Sequence, residues 1–312
     1  MSSPSPAAAA TAEAPSSVGN VATGFDILGH TLEGPVDRVT ARRIDEAVVR
    51  VNSIGGIVPD LPRDSEKNTG LRALAAFREA LHLPFGFEID LIKGIPLGSG
   101  MGGSAASAVA ALVAANALLD APVSAVQLYS FAREGEAAAS GSRHGDNVGP
   151  MLLGGLTLAT HDRLIRLPVP GGLTCVLVHP HFVLETRRAR EVLAMPYVLS
   201  DFVPQSERLA QLVSGLFTGD LVSIRNGLHD VLIEPRRAHL IPGFFEVKQA
   251  ALDRGALGAS ISGGGPSVFA WFETRDAAEK AAPSMRAGFA RAGLASDAYI
   301  SPVDGPGARL IS

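Results

Sequence analysis

The sequence predicts an α+β protein built from two α+β halves, and three observations carry that expectation. Short runs rich in Val and Ile read as strands, apolar residues recur at helical spacing between them, and a glycine-rich loop lies where a strand passes into a helix. Residues 1–13, mostly Ser, Pro and Ala with no Lys or Arg before Arg38, are expected to form a flexible leader. They lack the basic flank of a signal peptide and the arginines of a transit peptide. Residues 37–44 and 47–54 read as strands placed to pair as neighbours. After Asn68, the residues Leu71, Leu74, Ala75, Arg78 and Leu81 mark a surface helix that Pro84 closes. Residues 87–92 read as a strand, followed by the turn Gly94-Ile95-Pro96, the glycine loop and an Ala-rich helix over 104–119. Asp120-Ala121-Pro122 stops that helix, Ser124 caps a second one reaching about residue 140, and residues 141–150 form a polar loop carrying His144, Asp146 and Asn147.

Strands are expected over 151–159 and 173–179, then helices over 187–193, 207–216 and 244–254. A strand over 257–261, a second glycine turn Ser262 to Pro266, a strand over 267–272, a helix over 277–292 and a last strand near 298–300 complete the chain. These elements divide into an N-terminal domain, residues 14–160, and a C-terminal domain, residues 161–312.

Composition narrows the function classes. The 312 residues are 46% hydrophobic and 19% charged, enough to bury a core and unlike a disordered chain. A formal charge of -4 and a pI near 6.1 supply no basic stripe, so no nucleic-acid partner is expected. The single cysteine, Cys175, lies in an apolar run and permits no internal disulfide, which fits a cytoplasmic protein. The weakly polar stretch 105–119 is shorter than the ~20 residues a membrane helix needs, so no membrane partner is expected either.

The segment Pro96-Leu97-Gly98-Ser99-Gly100-Met101-Gly102-Gly103-Ser104 joins a strand to a helix, where free amides and the helix dipole favour an anion. It is no Walker A loop, because no Gly-Lys-Ser or Gly-Lys-Thr follows. Gly98, Gly100 and Gly103 do have G-x-G-x-x-G spacing, which leaves a Rossmann-type dinucleotide-binding oxidoreductase as an alternative. Against it, Asp120 ends the helix itself and is followed by another helix rather than a strand. A purely structural turn, glycine-rich so that residues 105–115 can pack closely, is the third reading.

Three separated segments together resemble the GHMP kinases, a superfamily of ATP-dependent small-molecule kinases. They are Pro15-Ser16-Ser17-Val18-Gly19-Asn20-Val21-Ala22-Thr23-Gly24-Phe25-Asp26, the stretch from Pro96 to Ser107, and Ser262-Gly263-Gly264-Gly265-Pro266-Ser267. The resemblance covers nearly all of the chain from about Ala14 to Ile300. Its nearest branch is the one that phosphorylates L-homoserine on the way to threonine, through Asn20 with Asp26, His144-Gly145-Asp146-Asn147-Val148-Gly149-Pro150, Leu153-Gly154-Gly155, Thr186 with Arg190, Glu234-Pro235-Arg236-Arg237 and Ile241-Pro242-Gly243-Phe244. One departure is Gly103, which replaces the first of two serines usual in the phosphate loop. Another GHMP kinase, acting on a sugar or mevalonate, is the rival inside the superfamily.

The resemblance implies an S5-domain-2-like N-terminal half, a ferredoxin-like C-terminal half and an active site between them; a homodimer is compatible with it. It implies ATP on Pro96 to Ser104 with Ala105 and Ala106, Asn68 as an adenine contact, Lys93 as a further nucleotide contact, and Mg²⁺ held by Ser104 and Glu136. It also implies Arg190 and Arg237 on the acceptor's carboxylate, Asn20, Asp26, His144 and Asn147 around its ammonium and hydroxyl, and Thr186 beside the transferred phosphate. Each has a plainer reading: Asn68 and Ser104 as N-caps, Lys93 as a solvated strand end, Glu136 as one charge on a solvated helix face. Asp146 is the obvious carboxylate for a general base, yet a loose phosphoryl-transfer transition state asks little of a base, and it is assigned no role.

Overall fold

The computed structural model describes residues 9–141 and 143–311, the side chains of residues 139, 140 and 186 excepted. In chain order the elements are β1 (Ala9–Gly19), β2 (Leu28–Ile44), β3 (Val49–Gly56), α1 (Thr69–Ala80), β4 (Gly86–Lys93), α2 (Gly103–Asn116), α3 (Ala125–Ser140), α4 (Val148–Leu153), β5 (Leu156–Ala159), β6 (Leu164–Arg166) and β7 (Thr174–Pro180). There follow α5 (Thr186–Glu191), α6 (Leu199–Thr218), α7 (Leu221–Gly227), α8 (Glu234–Arg237), α9 (Phe244–Asp253), β8 (Gly258–Ile261), β9 (Val268–Phe272), α10 (Arg275–Arg291), β10 (Ser296–Pro302) and β11 (Arg309–Ile311).

Among the described residues, the first sheet runs β11-β1-β2-β4-β3, with β5 on β2 and β6 on β5. Its pairings are antiparallel except β3 with β4. This excludes the doubly wound parallel sheet that the Rossmann alternative requires. The strands over 37–44 and 47–54, expected to pair, both lie against β4 instead, which arrives later in the chain and inserts between them. Helix α2 packs on β1 and β2 and is buried at every position from Ala105 to Leu112. A helix apolar all round belongs in the middle of a structure, and Ala lets its neighbours approach closely.

The second sheet, β10-β7-β9-β8, is antiparallel and carries α9 and α10 on one face. Strand alternation divides its side chains. Val176, Val178, Val268, Ala270 and Phe272 join the core under α9 and α10, whereas Cys175, Leu177, Phe269 and Trp271 join the core of the first half. Trp271 donates its Nε1–H to His30 Nε2 at 3.1 Å, and His30 Nδ1 lies 2.8 Å from the Thr31 carbonyl. The neutral imidazole is thereby satisfied at both nitrogens, and burial pushes its pKa down to about 4.

Three further expectations do not hold. The leader expected over residues 1–13 stops short, because Ala9–Gly19 is a strand paired with β2 and β11; residues 1–8 lie outside the described residues. The strand expected over 151–159 is helix α4 followed by the short β5. The boundary at 160 does not separate the sheets, since β6 and β11 both lie beyond it in sequence yet belong to the first sheet. No described helix is long and apolar enough to cross a membrane.

Candidate active site

A cleft of about 230 Å³ opens where the first motif, the glycine loop, the loop carrying His144, Asp146 and Asn147 and the 262–266 turn converge. Its wall includes Pro96, Leu97, Gly98, Ser99, Gly100, Gly102, Gly103 and Ser104 on one side, Glu136 and Asn147 between, and Asn20, Asp26, His144, Arg190 and Arg237 on the other. Asp146, Gly263 and Gly264 complete it.

The glycine loop ends on α2, whose N-cap Gly102 has φ 72° and provides no side-chain cap. The first-turn amides of α2 therefore face the cleft region without intrahelical acceptors. Gly100, at φ 74°, is pressed against the second glycine turn, and a Cβ there would collide with the carbonyls of Ser262 and Gly265. Ser262 Oγ donates to Gly100 O at 2.7 Å and Ser267 Oγ to Ser99 O at 2.6 Å, so the two halves meet on this loop.

The first motif supplies the opposite wall through a strained turn. Asn20 (φ 69°), Ala22 (φ 51°) and Asp26 (φ 63°) occupy the left-handed region, which Asn and Asp tolerate and Ala adopts at a cost. Hydrogen bonds hold it: Asp26 N–H donates to Asn20 Oδ1 at 2.8 Å, Asn20 Nδ2 to Gly263 O at 2.6 Å, and Asn20 N–H to Asp146 Oδ2 at 3.1 Å. Ser17 Oγ donates to Asn147 Oδ1 at 2.8 Å. The loop that carries Asp146 comes so close that a Cβ at Gly29 would strike the Asp146 carbonyl.

Charge is concentrated in this wall. Arg190 grips Asp26 through two bonds, 2.7 and 3.2 Å, and His144 Nδ1 lies 3.2 Å from Asp26 Oδ2. Arg237 is 3% exposed, donates Nε–H to Ala189 O at 2.8 Å and Nη1–H to Gly263 O at 3.2 Å. Burial and the neighbouring Arg190 push its pKa down to about 10. Phe25, which the motif alone does not single out, sits with its ring 5.5 Å from the Arg190 guanidinium and 5.1 Å from that of Arg237. Burial lowers the His144 pKa, with Asp26 opposing, so His144 is neutral at pH 7 and donates from Nδ1. Its Nε2 and Arg190 Nε are buried without hydrogen-bond partners, one an acceptor and the other a donor.

Two carboxyls have pKa values pushed up to about 7. Burial does this to Glu136, opposed by a hydrogen bond with Ser104 and by the charge of Lys93. Burial also raises Asp146, helped by the charges of Asp26 and Glu136. A buried carboxylate beside a hydroxyl is a hard-oxygen donor pair, suited to Mg²⁺ when phosphate oxygens and water complete the shell. No cluster of three or more His, Cys, Asp or Glu that could hold a metal without such help occurs among the described residues.

Some expected contacts are not made. Lys93 does not line the cleft: its ammonium is buried against Asp37, Gly103 O and Ser107 Oγ, because the strand turns it under the loop. Asn68 is the N-cap of α1, accepting from Leu71 N–H at 3.2 Å and donating to Pro62 O at 2.8 Å, so its amide is engaged away from the cleft. Ser104 is not an N-cap, since Gly102 takes that place. Met101, Ala105 and Ala106 send their side chains into the core, which leaves only their backbone for a ligand. Thr186 opens α5 one turn before Arg190, and its side chain lies outside the described residues. Asp37 carries no local signal, because only the fold brings it beneath a loop nearly sixty residues away.

Known proteins share this outline. The family model described as GHMP kinases N terminal domain matches residues 68–155, and GHMP kinases C terminal matches residues 212–291. The chain is 60% identical over 303 residues to a homoserine kinase of Xanthomonas campestris pv. campestris, covering 97% of this chain and 94% of that one. It is 45% identical over 317 residues to a homoserine kinase of Chlorobaculum tepidum, covering 97% and 98%. The crystal structure of homoserine kinase from Cytophaga hutchinsonii superimposes with a TM-score of 0.94 at 42% identity, covering 100% of both chains. Mevalonate kinase from L. major, with R-mevalonate, shares the fold at a TM-score of 0.68 and 16% identity, over 98% of this chain and 100% of that one.

Proposed function

The chain belongs to the GHMP kinases as a homoserine kinase, and we propose that the cleft is where it transfers the γ-phosphate of ATP to the side-chain hydroxyl of L-homoserine, giving O-phospho-L-homoserine. One observation carries the assignment of the acceptor pocket. In a cluster already balanced by Asp26 and Arg190, a buried donor, Arg190 Nε, and a buried acceptor, His144 Nε2, are left unanswered. A zwitterionic amino acid answers both, with its carboxylate on Arg190 and Arg237 and its ammonium on Asp26 and His144. An uncharged sugar answers neither charge.

ATP phosphates lie on the amides of the loop from Gly98 to Ser104 and on the start of α2. Ser104 and Glu136 would hold Mg²⁺, which would neutralise charge on the phosphate oxygens. The γ-phosphate then points from the glycine loop across the cleft toward Asn20 and Asn147, where the acceptor hydroxyl is oriented, with Thr186 at the transferred phosphate. The hydroxyl proton leaves late, so Asp146 serves the site by holding the Asn20 amide rather than as an essential base. The first sheet with α1 to α4 forms the ATP-binding half. A cytoplasmic setting and a homodimer belong to the same proposal. The test is ADP release with Mg²⁺ across homoserine, serine, threonine, mevalonate, galactose and no acceptor. Turnover confined to homoserine is expected; faster turnover with mevalonate or galactose refutes the acceptor assignment.

A further inference from the structure

The phosphate loop is glycine-rich and outside any strand or helix between Gly94 and Gly102, so something must hold its ends if its amides are to present a ready-made anion site. We propose that the buried ion pair of Lys93 and Asp37 is a positioning clamp that closes on both ends of this loop and so sets nucleotide affinity. The proposal rests on the reading that ATP phosphates occupy the loop.

The side chains of Lys93 and Asp37 are 1% and 0% exposed. At the loop's start, Asp37 Oδ1 accepts the N–H groups of Gly94 at 3.1 Å and Ile95 at 3.2 Å. At its end, Lys93 Nζ donates to Gly103 O at 2.6 Å, the first residue of α2. Ser107 Oγ joins the two, donating to Asp37 Oδ2 at 2.8 Å and lying 3.0 Å from Lys93 Nζ. All three ammonium donors and both carboxylate oxygens are thus engaged, and every partner outside the pair is on the loop or the first turns of α2.

Stability alone does not account for this arrangement. A buried ion pair is commonly replaced by apolar residues of similar volume with no loss of stability, because desolvation offsets the attraction. Apolar residues, however, cannot hold the Gly94 and Ile95 amides and the Gly103 carbonyl in register. A Cβ at Gly103 would make ordinary contact with Lys93 Nζ at 3.4 Å and press more closely on Ile95 Cγ2 at 3.2 Å, so a small side chain there would leave the ammonium in place.

The experiment compares wild type, the double variant Asp37→Leu/Lys93→Met and the single variant Ser107→Ala. Calorimetric titration with a non-hydrolysable ATP analogue and Mg²⁺ gives affinity, steady-state kinetics give KM for each substrate, and thermal melting reports folding. The double variant is expected to stay folded, to bind the analogue roughly 10-fold or more weakly and to show a parallel rise in KM for ATP, while KM for homoserine changes by less than about 2-fold. Ser107→Ala should weaken analogue binding by about 3-fold with little change in melting temperature. A folded double variant with wild-type affinity, or equal rises in KM for both substrates, overturns the clamp. If the double variant does not fold, unchanged affinity in Ser107→Ala overturns it. Failure of the wild-type protein to bind the analogue removes the ATP reading, and the clamp with it.

Discussion

Replacing Arg190 by Ala tests the acceptor pocket most directly, because this guanidinium touches the protein chiefly through groups that substrate would engage. It holds Asp26 by two bonds of 2.7 and 3.2 Å and keeps a buried Nε–H unanswered. A carboxylate on that side chain gains hydrogen bonds to a charged donor, worth about 1.5–3 kcal/mol. The variant should therefore lose roughly 10- to 150-fold in kcat/KM for homoserine. Homoserinol, which keeps the ammonium and hydroxyl but has no carboxylate, never uses that bond. Its kcat/KM should fall far less and can even rise, since removing Arg190 frees Asp26 for the ammonium. The ratio of the two acceptors cancels general damage to the fold. Arg187, whose side chain is 82% exposed on the same helix, is the control and should do nothing on substitution by Ala. Coupled-assay kinetics with both acceptors supply all the numbers. Equal losses with the two acceptors, or a larger loss at Arg187 than at Arg190, would refute the placement of the carboxylate.

Glu136→Gln should lower kcat steeply, with raised Mg²⁺ restoring only part of it; an unchanged Mg²⁺ titration would show that Glu136 holds no cation. Because burial pushes Glu136 up to about 7, protons and cation compete for it, and the Mg²⁺ concentration for half-maximal rate should climb as pH is lowered from about 8 to about 6. Asp146→Asn should cost much less than the ~10²–10⁴-fold typical of a lost general base. A loss at the top of that range with intact homoserine binding would make Asp146 the base. His30 has a folded pKa of about 4 against an ordinary value of 6.5, so its contribution is complete above pH 6.5 and is lost as pH falls toward 4. By linkage, unfolding free energy should drop by up to about 3 kcal/mol over that window. Urea titrations read by the fluorescence of Trp271, the single tryptophan, would measure it, and a pH dependence unaltered in His30→Gln would exclude His30 as its source.

What the sequence determined by itself was whatever lies in one contiguous stretch. The glycine loop, the second glycine turn and the helices over Leu71 to Leu81 and Ala105 to Ala115 each carry their own local reason. Left-handed backbone wants Gly, Asn or Asp, and apolar periodicity marks a packed face. What only the tertiary structure decided was who meets whom across the chain. Residues 9–13 read as the end of a featureless leader until β2 and β11 pair with them, because Ala has no strong strand preference of its own. Strand β4 enters between β2 and β3 although both precede it. Asn68 and Lys93 fit nucleotide roles by motif, yet Asn68 caps α1 and Lys93 turns beneath the loop to Asp37. A polar side chain's role depends on which partner folding puts within about 3 Å of it. When that partner is 56 positions away in the chain, as Asp37 is from Lys93, local spacing has no way to record it.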